Sequence, residues 1–205
     1  MATVQLQGGP QKYMYQLVPG DRVLSVDSNG KTTYSPIYVI SHAVAHGMFN
    51  HRRFTFSTKS QNTTRLFTAS PDHYLLLAEN ASWSTRRAVR SADVKVGDQM
   101  WFVDPKADHA MELATVLAVE DILDEGIYNA LTLTGTIVVD GVAASVYSDM
   151  LGSEYNMHVF CSWGRWLYRI WPQFFTGMHQ LKWASPAAMQ IGYAARAALK
   201  MASVI

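Results

Sequence analysis

The feature that most constrains this chain is a repeat within itself. Val18-Pro19-Gly20-Asp21-Arg22-Val23-Leu24-Ser25-Val26-Asp27 is echoed by Lys95-Val96-Gly97-Asp98-Gln99-Met100-Trp101-Phe102-Val103-Asp104, with the two Gly-Asp pairs 77 residues apart. In each copy a hydrophobic run follows the Gly-Asp pair. An Asp, a polar turn and a second hydrophobic run come next: Pro36 to Ile40 in the first copy, Ala114 to Val119 in the second. Two strand-turn-strand units are too few to stack as a solenoid. They suit a compact sheet structure with an approximate two-fold axis.

The rest of residues 1 to about 150 reads the same way, as short runs of Val, Ile, Thr, Tyr and Phe broken by Gly, Asn and Asp. Arg22 to Val26 is a strand, Asp27-Ser28-Asn29-Gly30 a hairpin turn, and Thr33 to Ser41 the return strand. Leu66 to Thr68 and Tyr74 to Ala78 flank another bend. Thr132 to Val139 and Ala143 to Tyr147 are strands joined by Asp140-Gly141. Near residue 150 the composition changes. Trp163, Trp166, Trp171 and Trp183 all lie beyond it, and Phe160, Trp163, Leu167, Ile170 and Trp171 fall at helical spacing. Arg165 and Arg169 are expected on a more polar face, and Pro172 should end or bend the helix. Ser185-Pro186 reads as a cap opening a second helix from Ala188 to Met201. The expected fold is mainly β: a pseudo-two-fold domain over residues 1–150, then a short helical, aromatic-rich appendage over residues 151–205.

Hydrophobic residues make up 49% and charged residues 16%, which marks a folded chain. A net charge of +1 gives no pull toward nucleic acid, so none is expected as a partner. Arg86, Arg87 and Arg90 read as a solvated surface loop. Cys161 is the one cysteine, so no internal disulfide forms. The seven histidines show no metal-binding spacing. No metal and no cofactor are expected. Cys161, among Val159, Phe160 and Trp163, reads as a small buried hydrophobe rather than a reactive thiol. The first thirteen residues lack an apolar run, so no signal peptide is expected, and no uncharged apolar stretch of about 18 residues spans a membrane. Asn62-Thr63-Thr64 and Asn80-Ala81-Ser82 fit the glycosylation sequon, a common chance match.

The segment Leu66-Phe67-Thr68-Ala69-Ser70-Pro71-Asp72-His73-Tyr74-Leu75-Leu76-Leu77 carries more specific information. It resembles the motif of the hedgehog C-terminal autoprocessing domain, the Hint or Hog domain, in which a Thr and a His are separated by two residues before a hydrophobic strand. Leu17 to Leu24, Val94 to Asp98 and Leu131 to Ser145 agree in order and spacing. The last, Leu131-Thr132-Leu133-Thr134-Gly135-Thr136-Ile137-Val138-Val139-Asp140-Gly141-Val142-Ala143-Ala144-Ser145, is the most specific. The resemblance covers residues 2 to about 150 and fades in the tail. It implies the Hint fold, to which the internal duplication also conforms.

It also implies a chemistry. In that family an N-terminal Cys attacks the preceding peptide carbonyl to form a thioester, the motif His protonates the departing nitrogen, and the motif Thr holds the scissile bond. In hedgehogs a sterol hydroxyl, helped by an Asp base, then attacks the thioester. Here His73 stands for the motif His. Ser70 replaces the Thr and keeps its hydroxyl. His42 aligns with the sterol-activating Asp and could serve as a base near neutral pH. Val146 replaces a later family Cys. The family's Cys-Phe start has no counterpart at Met1-Ala2-Thr3-Val4. The expectation is therefore a self-cleaving domain whose nucleophile lies outside this chain. Its partner would be the upstream segment of its own precursor, with sterol or membrane lipid met through the tail. The alternative is a degenerate, non-catalytic Hint domain that binds lipid or protein. Splicing is disfavoured, because no His-Asn pair closes the β region after Ser145. The family's usual context is secretory.

Overall fold

The computed structural model of the chain describes residues 1–58, 64–104 and 109–180. Within it the two sequence repeats become two copies of one hydrogen-bonded unit. Strands β1 (Thr3–Gln5) and β2 (Gln11–Tyr13) lead through a 3-10 turn, Met14–Gln16, into β3 (Arg22–Val26) and β4 (Thr32–Thr58). After β5 (Thr64–Ala69), strands β6 (His73–Leu77) and β7 (Arg87–Arg90) lead through a second 3-10 turn, Ser91–Asp93, into β8 (Gln99–Val103) and β9 (Met111–Thr132). The Gly-Asp pairs occupy equivalent places. Gly20 N–H donates to Ile37 O and Ile37 N–H to Asp21 O, both at 2.8 Å. Gly97 N–H donates to Val116 O and Val116 N–H to Asp98 O, both at 2.9 Å. Each aspartate also accepts from the amide three residues back, Asp21 from Val18 at 3.0 Å and Asp98 from Lys95 at 2.8 Å. Both glycines need the left-handed backbone that side chains resist, with φ of 99° at Gly20 and 93° at Gly97.

The halves are joined by exchange of their longest strands. β4 runs for 27 residues and β9 for 22, and they pair antiparallel from Ile37↔Thr132 to Thr58↔Ala114. Register shifts between Ile37 and Val39, Ile40 and His42, and Val44 and Met48 let the ribbon bend between the halves. The last hairpin is β10 (Thr136–Val139) and β11 (Val142–Ser148), with Asp140 and Gly141 both at positive φ. Gly141 is required there, since a Cβ would meet the Phe102 ring at 2.2 Å. The main sheet runs β10-β11-β6-β8-β9-β4-β3, with β5 on β4 and β7 on β6.

Alternate residues of the inner strands bury on opposite faces. Val23, Leu75, Leu77, Met100, Phe102 and Val146 enter the larger core, while Leu24, Val26, Leu76, Trp101 and Val103 enter a second core under Trp83. Each fully buried large side chain, such as Phe54 or Phe56, contributes about 1.5–3 kcal/mol. Ser25, buried between the halves, is satisfied by Thr134 Oγ1 at 2.6 Å and Thr136 O at 2.8 Å.

The chain beyond residue 150 forms α1 (Glu154–Phe160), α2 (Ser162–Ile170) and α3 (Pro172–Gln180). Ser153 caps α1 by accepting from Asn156 N–H at 3.1 Å, and Met157 is buried in the main core. Among the described residues no helix is long and apolar enough to cross a membrane.

Several details differ from the sequence reading. The strand expected over Thr33 to Ser41 continues to Thr58. The strand expected over Thr132 to Val139 is broken at Gly135, whose φ of 82° cannot continue a strand. The helix expected from Phe160 to Trp171 is α2, which ends before Pro172 as expected; Phe160 instead closes α1, and Pro172 opens α3. Arg169 is exposed as expected, but Arg165 is 7% exposed, while Trp163 is 77% and Trp166 54% exposed. Arg87 and Arg90 lie in β7 rather than in a loop, paired with Glu79 at 3.3 Å and Asp93 at 2.8 Å, while Arg86 stacks on Trp83 at 4.5 Å. The helix expected over Ala188 to Met201, and Asn62, lie outside the described residues.

Candidate active site

His73 is placed by a turn and a bulge. β5 ends at Ala69, and Ser70-Pro71-Asp72-His73 forms a tight turn in which His73 N–H donates to Ser70 O at 3.0 Å. Proline at the second turn position is pre-set for that geometry. The half-buried Ser70 therefore stands at the head of the turn, three residues before the imidazole. Opposite, β11 pairs with β6 at Ala144↔Leu75 and Ser148↔His73, with a register shift between. β11 takes four residue steps where β6 takes two, so Ser145, Val146 and Tyr147 bulge out of the ladder with β6, while Ser145 stays paired with Thr136 of β10. The bulge turns the Ser145 carbonyl toward the imidazole, with O 2.7 Å from His73 Nε2.

A carbonyl only accepts, so Nε2 carries the ring proton. Nδ1, 3.4 Å from Ser148 Oγ, keeps the lone pair of the neutral ring. Burial pushes the His73 pKa below its ordinary value. The bond to Ser145 opposes that shift, and the field of His42 adds to it. The ring is neutral at pH 7, and its protonated form is a stronger acid than free imidazolium.

His42 is linked to the same bulge through Ser41 and Asn129. It pairs with Asn129 where the β4–β9 register slips. Asn129 Nδ2 donates to Ser41 Oγ at 2.9 Å and to Val146 O at 3.1 Å, and Ser41 Oγ lies 3.4 Å from His42 Nδ1. Burial lowers the His42 pKa as well. Two carbonyls of one bulge thus serve two histidine neighbourhoods: Ser145 O for His73, and Val146 O for the Asn129–Ser41 pair beside His42. Sequence reasoning missed Ser145 as acceptor, Ser148 and Asn129. Ser145 stood within a recognised run, but nothing there marks its carbonyl as free of the ladder. Asn129 lies in a strand with no clear period.

The chain's first residues are also fixed. Thr3 N–H and Oγ1 donate to Asp140 Oδ1 at 2.9 and 2.8 Å, and Asp140 N–H donates to Thr3 O at 2.9 Å. Pairings Thr3↔Tyr13 and Tyr74↔Arg90 are equivalent under the repeat, so Ala2 is the counterpart of His73. The segment before Ala2 corresponds to the turn before His73. Cys161 sits apart, half-buried between α1 and α2 against the core, and burial raises its thiol pKa. It remains a protonated thiol. Among the described residues no group of three or more His, Cys, Asp or Glu side chains is arranged to hold a metal ion.

The sequence profile of the Hint module matches residues 1–201. The chain is 32% identical to the Sonic hedgehog protein of Xenopus laevis over 149 residues, covering 72% of this chain and 32% of that protein. It is 28% identical to the Sonic hedgehog protein of Danio rerio over 149 residues, covering 72% and 34%, and 28% identical to the hedgehog protein of Drosophila virilis over 166 residues, covering 80% and 31%. The chain thus spans about a third of the length of these relatives. Among solved structures it is similar to an intein from a hyperthermophile, with a TM-score of 0.58 at 16% identity, covering 70% of this chain and 94% of that one. It is also similar to a DnaB intein from Synechocystis, with a TM-score of 0.55 at 10% identity, covering 70% and 93%. At such identities these likenesses speak for the fold alone, and the fold they share is the mainly β one described above. With the repeat, the hedgehog-like motifs and the profile match in agreement, the chain belongs to the Hint family.

Proposed function

We propose that the chain is the catalytic part of a self-cleaving, hedgehog-type autoprocessing domain that acts once, in cis, on the peptide bond upstream of a Cys preceding Met1. The observation that carries this reading is the His73 ring, with Nε2 committed to Ser145 O and Nδ1 left for proton transfer. Neutral Nδ1 takes the thiol proton, and the thiolate sulfur attacks the carbonyl carbon of the preceding residue. As the C–N bond breaks, the same proton passes from Nδ1 to the departing nitrogen, leaving a thioester and a free amine. A depressed pKa suits that second transfer, because a strained imidazolium gives up its proton readily. Ser70 is the hydroxyl we assign to hold the scissile peptide. His42 is the base for the second step. It takes the proton of an attacking hydroxyl, a new ester or acid forms, and the thiolate leaves.

The tail supports a lipid alcohol, such as a sterol, or membrane lipid as the second partner. Phe160, Trp163, Trp166, Ile170 and Trp171 are all exposed, with the Trp163 and Trp166 rings in contact at 6.1 Å. A groove of about 980 Å³ opens between Trp163, Trp166, Arg165 and Arg169 on α2, Tyr34 and Ser35 on β4, and Thr134 in the turn after β9. Beyond Glu154 the sequence has no acidic residue and five basic ones, Arg165, Arg169, Lys182, Arg196 and Lys200. Aromatic rings with basic neighbours suit a membrane interface. The same surface carries the second reading, a non-catalytic lipid-binding module.

The test places a reporter and a Cys-Phe start ahead of the chain and follows dithiothreitol-induced cleavage. The expected result is cleavage that His73→Ala slows at least about 100-fold. Equal cleavage in both rejects the role of His73. No cleavage in the parent leaves the binding-module reading in its place.

A further inference from the structure

The bulge in β11 is gripped from two sides. On the sheet side its carbonyls serve His73 and Asn129. On the outer side its side chains are held by the tail. Ser145 and Tyr147 are two residues apart and share one face of the strand. Ser145 Oγ donates to Glu154 Oε1 at 3.2 Å, at the first turn of α1. Tyr147 OH accepts from Arg165 Nη1 and lies 3.2 Å from His158 Nδ1, and Arg165 Nη2 donates to His158 O at 2.8 Å. Val146 is fixed by its N–H to Gly135 O at 3.0 Å.

A strand segment out of register lacks the ladder bonds that ordinarily define its backbone. Against β6 its conformation is set by other contacts: Ser145 stays paired with Thr136 of β10, Tyr147 N–H donates to Ser145 Oγ at 3.2 Å, and the side chains of Ser145 and Tyr147 are tied to the tail. We infer that Glu154 is a positioning residue for His73, acting through Ser145, and that Arg165 secures the other end of the bulge through Tyr147. This rests on the proposed role of His73 as proton carrier. The expected boundary near residue 150 then falls between two parts of one machine. α1 and α2 complete the scaffold of the site, whatever else the tail contacts.

The test uses the full 205-residue chain with ¹⁵N-labelled histidine, its His73 signals identified by their loss in His73→Gln. Two-bond ¹H–¹⁵N spectra should show one tautomer in the parent, with the proton on Nε2. Glu154→Ala and Ser145→Ala cut the same link from its two ends, and both should bring in the Nδ1–H form. Glu154→Gln keeps an accepting oxygen and should keep the parent pattern. A folded Glu154→Ala chain with an unchanged His73 tautomer overturns the inference, even if it melts earlier, because Glu154 would then serve only α1. A parent without the Nε2–H form overturns it too. In the cleavage assay Glu154→Ala should slow thioester formation roughly tenfold, with Glu154→Gln near the parent. If His73→Ala has no effect on cleavage, the functional reading fails while the spectra still decide whether Glu154 positions the ring.

Discussion

The two copies of the repeat share a scaffold and differ in what they carry. Both have the 3-10 turn, the Gly-Asp pair and the same reciprocal bonds to the returning strand, at Ile37 in one and Val116 in the other. The second copy begins with the Ser70–His73 turn. The first begins at Ala2 and Thr3, clasped to Asp140. Asp21 has a further partner in Lys12 at 2.9 Å, and Gly20 lies near Thr176 of α3, whereas Gly97 faces open space. The difference teaches that the repeat supplies a common frame, and the chemistry proposed above sits where the symmetry is broken. The break is the β11 bulge, which His73 meets directly and His42 through Asn129 and Ser41, and to which the tail helices are tied.

The largest effect should fall on the unlike positions. Ala2→Ser, at the counterpart of His73, should leave cleavage within about twofold, against the loss of 100-fold or more expected for His73→Ala. Comparable losses at both sites would mean that the asymmetry is not chemical. Gly20→Ala and Gly97→Ala probe the like positions. Each forces a side chain into left-handed backbone and should cost about 1–2 kcal/mol in denaturant unfolding. The two costs should agree, since the Cβ at Gly20 would meet Thr176 only at an ordinary 3.5 Å. A gap well beyond 1 kcal/mol would break the equivalence of the turns.

Acidification should act on three histidines, His42 in the first copy, His73 in the second and His158 in the tail. All are held below their ordinary pKa, chiefly by burial. Above about pH 6.5 they are neutral both folded and unfolded. As pH falls below that value the unfolded chain takes up protons that the native state resists, so stability drops toward the folded pKa values. Melting between pH 7 and pH 5 should fall by several degrees, and His158→Gln should remove part of the slope. A flat profile would contradict the burial of these rings. The smallest effect is at the aspartates. Asp98→Ala should cost about 1 kcal/mol for its bond to Lys95 N–H, and Asp21→Ala a few tenths more through the partly exposed Lys12. Lys12→Met should erase that excess.

The repeat was legible because both strands after Gly-Asp are buried, apolar and bounded by turn residues. β3 from Arg22 to Val26 and the Asp140-Gly141 turn came out as read. The far reach of β4 was not. Its stretch from Ala43 to Asn50 is mostly exposed and carries His46 and Gly47, so no apolar period marks it. Its order comes from β9 across the ribbon, a partner some 80 residues away. The tail misled for a different reason. Aromatic spacing finds the helix but not which face is inward, and here Met157 and Arg165 are buried while Trp163, Trp166 and Trp171 are out. Of the candidate site, His73, Ser70 and His42 stood out by motif position. The groups that orient them did not, because a backbone carbonyl freed by a bulge leaves no mark in the residue types.

Thr3 and Asp140 share three hydrogen bonds across 137 positions of sequence. A ribosome extends a chain by about 5–20 residues per second, so the partner of Thr3 emerges roughly 7–27 s later. The long ribbon pairing and the last hairpin are delayed with it. Until then His73, the bulge and the chain's leading strand cannot come together. The order of synthesis thus acts as a timer, since the domain can close only after its last hairpin has left the ribosome.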